Sequence, residues 1–273
     1  MVIFIHGILR FVEDWLLNLE ALAQDHQVYA VDLVGFGETD KPEASYTVDY
    51  VAGFFQGLMD ALEIERASLV GHSLGGGVAL SMAQRRPERV ERLVLVASAG
   101  FGREIHFAFR LASVPGLGEL LTWPNRPIIA QALKRVVWDP AVITNEMVDL
   151  AQRMFYLPGA RKAFLSTLRA GMTLRGIRPE LVAGLKQALP TMTIPTLVLW
   201  GEQDPILPVK HARLAMSQLP NVRGHIFEQC GHFPMFEHPE TFNRLVRAFL
   251  ASTGKAVDEE AEENFLRLFF ADG

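Results

Sequence analysis

Apolar residues along this chain fall into two alternating patterns. The first is the short unbroken run: Val2 to Ile5, Gln27 to Asp32, Ala67 to Val70, Leu93 to Ala97, Thr196 to Trp200 and Gly224 to Glu228. Such runs, rich in β-branched residues, predict strands buried on both faces of a sheet. The second pattern has helical spacing. Asp14 to Gln24 carries Trp15, Leu16, Leu19, Leu22 and Ala23 in that rhythm, and Val48 to Leu62, Gly77 to Arg85 and Pro239 to Ala251 also read as helices. Alternation of this kind predicts an α/β fold, a mostly parallel sheet covered by helices on both faces.

The alternation breaks from about Gly102 to Pro190. No buried strand pattern occurs there, only helical patches, aromatic residues and scattered Pro and Gly. The expected organisation is a core from 1–101 and 191–251, an inserted helical cap from 102–190, and a tail from 252–273. The tail has an acidic block followed by Phe265, Leu266, Leu268, Phe269 and Phe270. It reads as an amphipathic helix that docks, on this chain or as a homo-oligomer contact, or as a frayed terminus.

Composition sharpens the picture. Hydrophobic residues make up 49% and charged residues 21%, the balance of a globular protein with a substantial core. Net charge is −5, which argues against nucleic acid as a partner. Of 26 basic and 31 acidic residues, 12 and 6 fall between Arg103 and Pro190, so a basic cap sits on an acidic body. Cys230 is the single cysteine, which excludes an internal disulfide. The opening "MVIFIHG" has no basic leader, and no run approaches the ~20 apolar residues of a membrane span. A cytoplasmic protein is expected.

The stretch "ASLVGHSLGGGVALSMAQ" carries the chemistry. A strand pattern meets a helix pattern with almost no residues between, and Gly71 and Gly75 flank Ser73 in the spacing G-x-S-x-G. That is the form of a nucleophile elbow, in which a strained turn lifts the serine hydroxyl clear of the sheet. A serine hydroxyl needs a base within hydrogen-bond reach. Two later strands deliver candidates at their ends: Asp204 in "LVLWGEQDPILP" and His232 in "IFEQCGHFPMFEHP". In the order Ser73, Asp204, His232, the histidine takes the serine proton and the aspartate orients the imidazole. The backbone N–H groups of Leu74 and Ile8 are the expected oxyanion donors. His6 and His72 read as structural neighbours. Asp32, Gly35, Gly37 and Asp40 read as a turn network, because their spacing fits no metal ligand set. Cys230 reads as a buried filler. No metal or organic cofactor is implied.

In order, "FIHG", "DLVGFGETDKP", "LVGHSLGGGVAL", "RPERVERLVLVASAG", "IPTLVLWGEQDPILP" and "CGHFPMFEHPETFNRLVRAFL" resemble the motifs of the α/β-hydrolase superfamily. The resemblance runs from Val2 to about Leu250. It implies the fold and the triad but leaves the substrate open. The elbow and the plain "HGIL" loop resemble those of carboxylesterases, which implies cleavage of a small carboxylic ester through an acyl-enzyme. The "CGH…EH…FNRLV" end resembles carbon–carbon bond hydrolases of ring-cleavage products. Their glycine- and proline-rich oxyanion loop, elbow Asn and Trp after the base are replaced here by Ile8-Leu9, His72 and Phe233. A third reading is a ligand receptor on the same fold. Cap residues Phe107, Phe109, Trp123, Trp138 and Phe155 are the expected roof of the pocket. Family members usually have two further strands ahead of the "HG" strand. Starting on that strand implies either a missing beginning or a smaller sheet with an open edge.

Overall fold

The structure is a computed structural model that describes residues 1–123 and 125–252. Its core opens with β1 (Val2–Ile5), α1 (Leu16–Ala23), β2 (Val28–Ala30), α2 (Val48–Ala61), β3 (Ala67–His72), α3 (Leu74–Arg85) and β4 (Val90–Val96). The cap region follows with α4 (Phe107–Ala112), α5 (Leu117–Leu121), α6 (Arg126–Lys134), α7 (Asn145–Tyr156) and α8 (Ala160–Gly171). A two-residue antiparallel pair, β5 (Met172–Thr173) and β6 (Gly176–Ile177), precedes α9 (Pro179–Lys186). The core resumes with β7 (Thr196–Gly201), α10 (Lys210–Gln218), β8 (Val222–Phe227), α11 (Pro234–Glu237) and α12 (Pro239–Ala251).

Six strands form one parallel sheet in the order β2-β1-β3-β4-β7-β8. Side chains alternate across it, as strand geometry requires. Ile3, Ile5, Leu69, Leu93 and Leu95 face a core shared with Val51 and Phe55 of α2 and Val78 of α3. Val2, Phe4, Val70, Val94 and Val96 face the other, shared with Trp15, Leu22 of α1, and Phe242 and Leu245 of α12. Both faces are buried, which is why the strand runs read as uninterrupted apolar stretches. From β1 the chain steps outward to β2 and then back across to β3. The crevice above β1 and β3 is therefore the switch point of the sheet, where open α/β folds bind ligands.

Three expectations need correction. The edge strand β2 spans three residues, not the six of Gln27 to Asp32. Beyond Ala30 the chain leaves the sheet to form the Asp32 loop. The helix after the elbow starts at Leu74, three residues before the apolar rhythm begins. The β5–β6 pair lies in a stretch that read as helical patches. Among the described residues no strand pairs with the outer side of β2. The tail expected to dock lies outside the described residues.

Candidate active site

β3 ends at His72 and α3 begins at Leu74, so Ser73 alone makes the turn, at φ 52° and ψ −114°. An L-residue holds such a conformation only when its surroundings impose it. Here the neighbours do so through hydrogen bonds. The Ser73 N–H donates to Val96 O at 2.9 Å, and Ser73 O accepts from the Ala99 N–H at 2.9 Å and the Gly76 N–H at 3.1 Å. The glycines allow three backbones to touch. A Cβ on Gly71 would lie 2.5 Å from Gly75 O, and one on Gly75 2.2 Å from Ile5 O.

Asp204 sits in the turn after β7, buried. Its Oδ1 accepts the Ile206 and Leu207 N–H groups at 2.8 and 3.0 Å, which leaves Oδ2 facing His232 Nδ1 at 2.7 Å. Nδ1–H donating to the carboxylate leaves Nε2 as the lone-pair nitrogen. The loop carrying His232 is clamped from both sides. The His232 N–H donates to Val136 O at 2.8 Å. Glu237 of α11 accepts from the Gly231 N–H at 3.0 Å, the Phe233 N–H at 3.1 Å and the Trp138 N–H at 2.6 Å. Glu237 is the E of the "CGH…EH" motif, but no sequence signal assigned it this role. Among the described residues Ser73 Oγ makes no hydrogen bond. Contacts of this type commonly tighten only with substrate in place.

The loop after β1 turns tightly from Gly7 to Arg10, closed by the Arg10 N–H on Gly7 O at 3.3 Å, with Leu9 at φ 57°. The Ile8 and Leu74 N–H groups have no partner among the described residues. Leu74 opens α3, where the first N–H groups of a helix are unpaired and carry its positive end. His6 braces this loop: Nδ1–H donates to Gly7 O at 2.7 Å and Nε2 accepts the Leu33 N–H at 2.9 Å. Burial holds its pKa below the ordinary range. His72 donates from Nε2–H to His232 O at 2.9 Å, and its buried Nδ1 has no partner. Burial, and then the neighbouring His232, push its pKa well down. Asp32 accepts the Val12 and Glu38 N–H groups at 2.9 and 2.8 Å. Cys230 is buried, and burial with the Glu237 charge pushes its thiol pKa up. Among the described residues no group of three His, Cys, Asp or Glu side chains is placed to hold a metal ion.

Ser73, His232 and Ile8 open onto one cavity of about 480 Å³ between core and cap. Its walls are mainly apolar, and its charged side chains are Arg10 and Arg135. Arg10 is held by Asp14, Nε to Oδ1 at 2.9 Å, and packs over the Phe11 and Phe233 rings. Phe107, Phe109, Trp123 and Phe155 contribute to the wall. Trp138 does not. It lies beyond α6, half-exposed, with its backbone N–H taken by Glu237.

Residues 2–245 match the model of the alpha/beta hydrolase family, and the chain belongs to that family. It is 37% identical over 268 residues to an uncharacterized protein of Mycobacterium tuberculosis, covering 95% of this chain and 78% of that one. It is 34% identical over 251 residues to a 2-hydroxymuconate semialdehyde hydrolase of a Pseudomonas species, covering 89% and 83%. A meta-cleavage product hydrolase from Pseudomonas fluorescens superposes with a TM-score of 0.79 at 30% identity, covering 91% of this chain and 89% of that one. The family is one of hydrolases, and the two named relatives carry the names of a ring-cleavage semialdehyde hydrolase and a meta-cleavage product hydrolase, not of carboxylesterases. No helix among the described residues is long and apolar enough to cross a membrane.

Proposed function

We infer that the chain is a serine hydrolase that opens a bond beside a carbonyl through an acyl-enzyme. The observation that carries this reading is His232, held by Asp204 at 2.7 Å and opening onto the same cavity as the strained Ser73. His232 Nε2 takes the Ser73 proton as Oγ attacks the carbonyl carbon. Asp204 stabilises the imidazolium without itself taking the proton. The Ile8 and Leu74 N–H groups receive the developing oxyanion. His232 then returns the proton to the leaving group, and water repeats the sequence on the acyl-enzyme.

The bond we favour is that of a carboxylic ester with an apolar acyl part. An ester needs a base, an oxyanion site and an apolar pocket. Carbon–carbon cleavage also needs the substrate ketonised and its carboxylate held. The positions that differ from that branch, His72 and Phe233, line the cavity, and Arg10 is already neutralised by Asp14. The second reading, cleavage of a ring-fission diketone, is favoured by the two named relatives. One side-by-side assay separates them. We expect kcat/KM on C2–C8 acyl esters to exceed that on a vinylogous 1,5-diketone by about 100-fold, roughly 2.7 kcal/mol of transition-state stabilisation. Fast decay of the coloured dienol with poor ester turnover selects the second reading. Ser73→Ala should cost on the order of 10⁶ in kcat with the fold intact. Wild-type rates in that variant would exclude both.

A further inference from the structure

Several large apolar side chains of the cap stand in solvent. Trp123 is 68% exposed, Phe107 58%, Ile128 57% and Leu121 46%, yet all four also line the cavity. A side chain that does both lies on the rim. Leu120 of α5 is 75% exposed beside them in sequence. Scattered exposed apolar residues are ordinary, but a ring of them around a pocket mouth marks a contact surface.

The charge beside this rim that has no opposite partner is basic. Arg135 lines the cavity and Lys134 precedes it on α6. Arg161 lies over the Trp123 ring at 5.0 Å. None of the three forms an ion pair among the described residues, whereas Glu119 of α5 is held by Arg169 and Asp149 of α7 by Arg126. The 12 basic and 6 acidic residues between Arg103 and Pro190 extend the same excess over the cap.

We propose that the rim docks on an anionic lipid surface. The apolar side chains enter the headgroup boundary, the basic ones meet lipid phosphates, and a lipophilic substrate passes from the bilayer into the cavity without crossing water. Charge selects this occupant. A second copy meeting rim to rim would set like charges against each other. The inference concerns the mouth of the cavity and holds whichever bond is cut.

The test is sedimentation of the full chain with vesicles, either pure phosphatidylcholine or an equal mixture with phosphatidylglycerol. Partition onto the mixed vesicles should be about tenfold higher at low salt and fall as salt is raised. The Leu120→Glu/Lys134→Glu double variant, at two positions outside the cavity wall, should lose about tenfold of this partition while hydrolysing a short water-soluble ester normally. Ser73→Ala should partition like the wild type, so failure of docking and failure of the hydrolase reading are read separately. Equal partition onto both vesicles, no partition, or undiminished partition of the double variant overturns the proposal. Self-association by sedimentation velocity without vesicle binding also overturns it, and makes the rim a subunit interface.

Discussion

Ser73 holds its hydroxyl over the cavity at a backbone angle that only neighbouring backbone can impose. The glycines around it are not interchangeable. Gly75 lies where a Cβ would be 2.2 Å from Ile5 O, a strand carbonyl that has nowhere to move. Gly77, two residues on, would place its Cβ 3.6 Å from the Ala99 Cβ, an ordinary contact. Gly75→Ala should therefore destabilise the fold by about 1–3 kcal/mol and displace the nucleophile. Gly77→Ala should be neutral, or stabilise by up to ~1 kcal/mol through helix propensity. Urea denaturation of the two variants checks this, and equal midpoints would contradict it.

Elements place the remaining groups. α2 starts cleanly because the Thr47 hydroxyl accepts the Tyr50 N–H, and Asp49 lies in its first turn. The most consequential element is the shortest of the described α-helices. α11 has four residues, and its Glu237 gathers three N–H groups, two from the loop that carries His232 and one from the cap. Glu237→Ala should free that loop. An unpaired buried N–H costs about 1–3 kcal/mol, and a small displacement of the base costs up to ~10²-fold in rate. The expected result is a lower Tm with kcat reduced about 10–100-fold. A variant with normal kcat would show that the loop holds its shape without the carboxylate.

At the scale of the whole molecule, stability depends on buried polar groups that titrate, and one of them, His211, ties the core to Glu104 at 2.9 Å. His6, His72, His106 and His211 all have pKa values lowered, with burial the largest cause in each. Their unfolded values lie near 6.5. Above that pH both states are neutral and the stability is full. As pH falls below it the unfolded chain takes protons first, so stability is lost down through the folded pKa values. Glu104 is lowered to about 2 by hydrogen bonds from Lys210 and then His211. Its contribution is present above its ordinary 4.5 and disappears toward 2, and it is small because the carboxylate is half-exposed. Thermal melts should show a nearly constant Tm from pH 8 to about 7 and a decline below about 6.5. A Tm that rises from pH 7 to 5 would contradict this assignment.

The chain alone determined the α/β class, the six strand runs and the elbow. Each is a local pattern: burial on both faces leaves an unbroken apolar run, and close backbone approach leaves glycines at fixed spacing. Even there the pattern misplaced boundaries, those of β2 and the start of α3 among them. α3 begins at Leu74 because hydrogen bonds to Ser73 O from Gly76 and Gly77 start it, not side-chain rhythm. The rest depended on where distant segments meet. Asp204 and His232 are 28 residues apart, and only the neighbouring of β7 and β8 brings their side chains to 2.7 Å. The three N–H groups on Glu237, the outward Trp138 and the exposed rim of the cap carry no periodicity. They are set by the path of the chain between elements, and apolar spacing records which side of an element is buried, not what that side meets.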